Sequence, residues 1–285
     1  MLKQAGIVRE QVWGGHQPSY LMLVSGIVIL GVGLIAVLAP WLAPYSYDAQ
    51  DNSALLQAPS IQHWMGTDRL GRDLVSRLFY GTRISISIGL LTALTALMLG
   101  TVYGAISGYR GGRVDNWMMR WVDTVYALPD LLLIILIMVI VGRGFWGIFL
   151  ALTLVSWVTV ARIVRGEVLK HREQSYVEAA KALGAGHLRI LFRHILPNIF
   201  GPLTVILTFR IPAAILAEST LSFVGLGIAP PLASWGTLAN EGWAALRFYP
   251  HLIIFPGFFI FFTILAFNFL GDGLRDLLDP QNQRV

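Results

Sequence analysis

The sequence predicts an all-α integral membrane protein with six spanning helices and both termini in the cytoplasm. Three observations carry that reading. First, 55% of the 285 residues are apolar, only 13% are Asp, Glu, Lys or Arg, and the mean hydropathy is +0.65. Soluble domains carry about a quarter charged residues, so a chain of this composition cannot clothe a core in polar surface. Second, the apolar residues fall in uncharged runs close to the roughly 20 residues that a helix needs to cross hydrocarbon. Third, the basic residues are divided unevenly among the segments between those runs. The same composition excludes a disordered chain, and the absence of cysteine excludes disulfides, thiol nucleophiles and Cys-based metal sites.

Taken in order, 1–20 is a cytoplasmic N-terminal segment and 21–42 the first span. No charge occurs between Glu10 and Asp48, and the apolar core exceeds the about 7–15 residues of a secretory signal, so the span is read as uncleaved. An outer loop covers 43–83. At its end Leu70, Leu74 and Leu78 recur every four residues among Arg69, Arg72, Asp73 and Arg77. That pattern predicts an amphipathic helix lying on the outer leaflet, with part of an outer gate as the alternative. Residues 84–285 hold the remaining spans: 84–108, 122–141 with Asp130 near its start, 145–161, 199–217 with Arg210 inside it, and 252–270, followed by a cytoplasmic tail. A second outer loop covers 218–251. Its stretch Ser219–Asn240 is also uncharged. However, Gly225, Gly227, Pro230-Pro231 and Ser234-Trp235-Gly236 break a helix, which predicts an interfacial or partly re-entrant loop. Glu218, at the outer end of the fifth span, reads as interfacial. Gly31 with Gly33 and Gly100 with Gly104 fit either close helix packing or the ordinary glycine content of membrane helices.

Orientation follows from Lys and Arg. With the N-terminus inside, the inner segments 1–20, 109–121, 162–198 and 271–285 hold two, three, seven and two of them. The outer segments 43–83, 142–144 and 218–251 hold four, one and one. This is the positive-inside asymmetry. It also accounts for the net charge of +5 without nucleic acid.

The inner segment with seven basic residues is patterned. Val164–Leu183 reads as a helix stopped by Gly184 and Gly186, and His187–Ile195 as a second helix ending at Leu196-Pro197. The result is a hairpin over 164–197, on which Leu183, Leu188 and Leu191 can form an apolar knob. Pattern alone leaves three readings open: ordinary short loop helices, a basic helix lying on anionic lipid, or a docking element for a cytoplasmic partner.

Glu178-Ala179-Ala180, then Gly184, then Ile195-Leu196-Pro197 resembles the Glu-Ala-Ala loop of ABC-importer permeases. One departure is His194, where that family has isoleucine two residues before the Leu-Pro pair, which puts the second helix's apolar contact in doubt. Three further segments resemble the second permease of the dipeptide, oligopeptide and nickel importers. They are Gly66-Thr67-Asp68 with Gly71-Arg72-Asp73, then Leu221 through Gly227 with Ser234-Trp235-Gly236, and Phe267 through Asp276 with Asp279-Pro280. The resemblance covers about residues 20–280. It implies a type I ABC importer permease fold in the cell inner membrane, forming half of a pathway for dipeptides or oligopeptides, with nickel or another solute as alternatives. It also implies that the hairpin couples to the ATPases through Glu178, Ala179, Ala180, Gly184, Leu188, Leu191, Leu196 and Pro197. The implied partners are a second permease, two cytoplasmic ATPase subunits that bind the ATP and Mg, an extracytoplasmic substrate-binding protein and membrane lipid. The outer 69–83 helix is then a candidate docking face for that binding protein.

Such a subunit binds no nucleotide itself. The three lysines, Lys3, Lys170 and Lys181, do not stand in a Gly-Lys-Ser/Thr context, so no phosphate loop exists; neither a zinc helix nor a nucleophile elbow occurs. Charges inside spans are costly unless paired or wet. Arg210, followed by Pro212, reads either as a translocation-path residue meeting peptide carboxylates or as half of a structural pair. Asp130, after Pro129, reads as a path residue or as a boundary residue in cytoplasmic water. A secondary transporter using these two charges is the competing class, although no internal repeat supports it. An intramembrane enzyme lacks a paired constellation.

Overall fold

The computed structural model describes residues 20–278. Of the expected N-terminal segment only Tyr20 falls within them, and Asp279-Pro280 lies outside. Ten α-helices are used below: α1 Tyr20–Leu42, α2 Leu74–Arg110, α3 Gly112–Tyr126, α4 Asp130–Val141, α5 Phe145–Arg172, α6 Ser175–Ala182, α7 His187–Ile190, α8 Phe200–Leu221, α9 Trp235–Trp243 and α10 His251–Leu278. Five helical stretches are long and apolar enough to cross a membrane, and the pair α3–α4, bent by 86°, supplies a sixth.

Helix α2 organises the bundle. Its 37 residues rise about 55 Å, and it packs along α5, α8 and α1. Contact with α5 is backbone-close because Gly100, Gly104 and Gly108 repeat every four residues on one face. A Cβ on Gly100 would sit 2.5 Å from Cβ of Val160, one on Gly108 would sit 2.9 Å from the Arg165 carbonyl, and one on Gly104 would overlap the Ala161 carbonyl. Close backbone approach is what small residues supply in a membrane, where the hydrophobic effect does not drive helices together. Gly31 and Gly33 have open space around them, so of these two pairs Gly100 and Gly104 are the ones that pack.

The boundaries depart from the sequence reading in four places, each for a physical reason. The expected outer-leaflet helix and second span are one helix. Asp73 caps α2 by accepting from the Ser76 backbone N–H at 2.8 Å, and Leu74, Leu78, Arg72 and Arg77 are all buried in protein. Residues 112–121, expected as loop, form most of α3, which packs through buried Met118 and Val122. The chain then breaks at Pro129, whose backbone is extended and disfavours continuation of the helix before it. With 12 residues α4 rises about 18 Å, too short to span alone. Helix α5 carries on to Arg172, so the hairpin begins at Ser175 and not at Val164. Finally, the hairpin's second helix does not end at Leu196-Pro197. Residues His187–Leu226 form one helical run, in which a π turn at Leu191–Ile195 and a 3-10 turn at Leu196–Ile199 admit Pro197 near the start of that turn. The Asn198 side-chain amide donates to the His194 carbonyl left there.

After α8, a π turn at Ser222–Leu226 holds Gly225 at φ +89°. The chain then returns as α9, nine residues opened by a Ser234–Thr237 capping box. The uncharged 219–240 stretch is therefore the end of one helix, a non-helical segment over 227–234 where the glycines and Pro230-Pro231 predict the break, and the start of a short, largely buried helix. Glu218 is completely buried, not interfacial.

Candidate functional site

Three polar or exposed features stand out on this scaffold: the hairpin at one end of α2, a pair of cavities around Arg210 midway, and a charged network at the other end.

The hairpin is a rigid turn with an apolar tip. Helix α6 closes in a Schellman motif: the Gly184 N–H donates to the Lys181 carbonyl at 2.9 Å and the Ala185 N–H to the Ala180 carbonyl at 3.0 Å. Gly184 adopts φ +78°, the left-handed conformation that glycine enters without a Cβ penalty. Gly186 then accepts the Ile190 N–H to start α7. Val177, Ala180, Ile190, Leu191 and Ile195 are buried together against Val164 and Val168 of α5. The Tyr109 hydroxyl lies 3.1 Å from Nδ1 of His187, and the Tyr176 hydroxyl 2.9 Å from Nδ1 of His171. Burial pushes the Tyr176 hydroxyl above its usual range. Arg172 donates to the carbonyls of Gly108 and Tyr109, which caps α2.

The residues singled out for coupling therefore divide. Glu178, Ala179, Gly184, Leu188 and Pro197 are exposed, with Leu183 at 89% and Leu188 at 72%; Ala180 and Leu191 are buried and Leu196 is half-buried. Leu191 is thus not part of the knob. It faces inward together with Ile195, four positions on, in the cluster that meets α5. Ile195 and Ile190 supply the apolar contact that His194 put in doubt. Between α6 and α7 a hollow of about 490 Å³ is lined by Ala180, Leu183, Ala185, Arg189, Arg193 and His194.

Arg210 sits half-buried on α8 where two cavities meet. A cavity of about 950 Å³ is lined by Arg210 with Glu167, Lys170, Phe209, Ala213 and Arg275. A smaller one of about 160 Å³ is lined by Arg210 with Thr92, Asp130, Ser156 and Ala213. Asp130, exposed at the first position of α4, shares that cavity with Arg210 but makes no ion pair with it. Helix α8 continues through Pro212 without a break. A guanidinium with unused donors between two cavities can hold a carboxylate or a carbonyl oxygen.

The third feature is one that sequence reading missed. Asp68 accepts from the Arg72 backbone N–H at 3.0 Å, from Arg72 Nε at 2.6 Å and from the Arg77 guanidinium at 2.6 Å. Arg77 also holds both carboxylate oxygens of Glu241 on α9. His63 lies 3.0 Å from Asp73. Deeper, Glu218 accepts from Ser222 at 2.6 Å and Ser85 at 3.3 Å, and Ser85 accepts the Trp235 backbone N–H at 3.1 Å. These bonds tie α2, α8 and α9 together. The signal available beforehand was the four- and five-residue spacing of Asp68, Arg72 and Arg77. Glu241 is 164 residues from Arg77, and nothing local announces it. Among the described residues no three His, Asp or Glu side chains come together to hold a metal.

Comparison with known proteins gives a consistent picture. Residues 100–284 match the family described as binding-protein-dependent transport system inner membrane component. Residues 19–59 match the N-terminal TM domain of oligopeptide transport permease C. The chain is 46% identical over 261 residues to the oligopeptide transport system permease protein OppC of Bacillus subtilis (strain 168), covering 92% of this chain and 86% of that protein. It is 45% identical over 276 residues to the dipeptide transport system permease protein DppC of the same strain, covering 96% and 86%. Against the glutathione transport system permease protein GsiD of Pectobacterium atrosepticum it is 40% identical over 273 residues, covering 95% and 91%. Among solved structures, the inward-facing MetNI methionine ABC transporter superposes with a TM-score of 0.60 at 16% identity, over 72% of this chain and 96% of that one. At that identity the likeness speaks for the fold.

Proposed function

We propose a function from one premise: the chain belongs to the family of binding-protein-dependent transport system inner membrane components. It is a multi-pass inner-membrane protein with the permease fold of an ABC importer. On our reading it forms half of a transmembrane pathway for dipeptides or oligopeptides. A second, similar permease supplies the other half, and an extracytoplasmic binding protein delivers the substrate. Two cytoplasmic ATPase subunits bind the ATP and Mg; this chain is not catalytic. The hairpin end is then the cytoplasmic end.

The observation that carries the reading is the mechanical continuity of the hairpin. Its exposed tip (Glu178, Leu183, Gly184 and Leu188) is clamped by a buried cluster, and its second arm runs without a break into the spanning helix that carries Arg210. A partner that grips the tip therefore moves α8, and with it the walls of both Arg210 cavities. Closure of the ATPases on ATP opens the pathway outward, and hydrolysis resets it. A ligand-driven change of this kind needs tip contacts that differ between the two states. Arg210 meets peptide carboxylates or carbonyls on the path, and Asp130 stands at its edge.

The test is ATP-driven peptide uptake by the assembled complex in proteoliposomes, with Glu178→Arg as the variant. ATP hydrolysis without uptake, from an intact complex, is the expected result. Normal uptake by that variant removes the coupling role. Uptake by this chain alone, abolished by an ionophore, points instead to an ion-driven transporter.

A further inference from the structure

At the end of α2 opposite the hairpin lies a pocket of about 410 Å³, within the roughly 300–1,000 Å³ of small-molecule sites. Leu74, Leu238 and Leu252 give it apolar walls, and its charged wall is made by Asp68, Arg69, Arg72, Arg77 and Glu241. Three guanidiniums face two carboxylates there. Arg77, 1% exposed, uses its terminal nitrogens on Asp68 and Glu241, while its buried Nε has no partner. Arg72 approaches Glu241 only to 3.6 Å, too far for a hydrogen bond. Arg69 is exposed at the rim and makes no ion pair among the described residues. The site is one negative charge short, and it holds unused planar donors beside an apolar wall. A carboxylate on an apolar body meets all three conditions. Phosphate would bring up to two charges and nothing for the leucines.

We infer that this pocket binds the C-terminal carboxylate of a short peptide, with Arg69 as its principal contact and Arg72 and Arg77 behind it. It is a receiving site distinct from Arg210, which lies far along the bundle. The inference rests on the peptide-importer reading above. Because Glu241 belongs to α9 and Arg77 to α2, a bound carboxylate that competes for Arg77 also loosens the link between those helices. Arrival of peptide is thereby communicated to the helix that reaches the hairpin.

The probe pair is alanyl-leucine and alanyl-leucinamide, titrated calorimetrically into the complete membrane complex in nanodiscs, without binding protein. The acid should bind at least tenfold more tightly than the amide. Arg69→Gln should erase that difference, and Arg247→Gln, at an exposed arginine outside the pocket lining, should leave it. Arg69 is exposed, so the variant folds. Equal binding of acid and amide, no binding of the acid at millimolar concentration, or an Arg69→Gln effect confined to association with the binding protein would each overturn the assignment. ATP-driven uptake measured in parallel separates the two failures. If the wild-type complex imports no peptide, the importer reading falls; if it imports peptide without acid-selective binding at Arg69, only this pocket's role does.

Discussion

Helix α2 ends in two places that are held by opposite chemistry. At its Asp73 end the polar groups are inside: Asp68, Arg72, Arg77, Asp73 and His63 are buried and bonded to one another, and leucines and Trp235 fill the space around them. At its Arg110 end apolar groups are left outside. Leu183, Leu188 and Phe192 are exposed on a hairpin whose own stability comes from the valines and isoleucines beneath them. A buried ion-pair network is expensive to assemble, but once complete it fixes geometry. An exposed leucine contributes nothing until another surface covers it, when burial is worth about 1.5–3 kcal/mol. One end therefore keeps its charges inside the chain, while the other presents apolar surface that the described residues do not cover.

The largest effect should come from breaking the charged end. Arg77→Met leaves Asp68 short of one partner and Glu241 of its bidentate one, in a site where uncompensated charge costs about 3–5 kcal/mol. The expected outcome is a lower apparent melting temperature in detergent and poor accumulation. A variant melting with the wild type would mean that Asp68 and Glu241 are satisfied by other groups, and that the two ends differ less than the bonds suggest.

Leu191→Ala probes the layer under the hairpin. Leu191 is 7% exposed among Val164, Ile190 and Ile195, and truncating such a leucine costs about 2–5 kcal/mol. Thermal melting and ATPase co-purification should fall together, because the tip loses its base. If co-purification fails with melting unchanged, Leu191 contacts the ATPase directly and the division between tip and base is wrong.

Gly184→Val acts at the turn itself. A β-branched residue at φ +78° costs about 1–3 kcal/mol, although nothing lies within 4 Å of the added Cβ. The strain is local, so the bundle should melt almost as before while uptake drops below ATPase activity. Uptake and ATPase falling in parallel would show a folding defect instead of uncoupling.

How much of this could be read from residues alone depends on the range of the forces involved. The membrane class, the approximate spans and the Gly184 turn rest on composition or on spacing within a few residues and are visible in the sequence, whereas spacing left the Gly100 and Gly104 pair open between packing and ordinary glycine content. Helix ends were harder. The continuation of α5 past Ala161 to Arg172 is held by Val164 and Val168, buried against Gly104 and Gly108 of α2, and by Asp115 on α3, which bonds Arg165 at 2.5 Å through two oxygens. Glu218 looked interfacial because a carboxylate at the end of a span normally is. What buries it is a set of hydroxyls from Ser85 and Ser222, brought together by packing of α2 on α8. Glu241 on Arg77 is the same case at longer range. For Glu218 and for Glu241 on Arg77, a polar partner far away in sequence overrode a local preference.

The smallest change in stability should carry the sharpest functional consequence. Leu188→Ala removes an apolar group that is 72% exposed and touches no buried cluster, so melting should shift by less than about 0.5 kcal/mol equivalent. If the tip is a docking surface, the same change weakens ATPase association, because the lost area counts only when covered. Leu183→Ala, at the turn, should behave alike, and the double variant should be additive in stability but more than additive in co-purification if both leucines enter one groove. Set beside Leu191→Ala, three residues away, the experiment separates a leucine that holds the hairpin from one that the hairpin presents. Equal loss of stability in the two variants would erase that distinction, and with it the contrast between the two ends of α2.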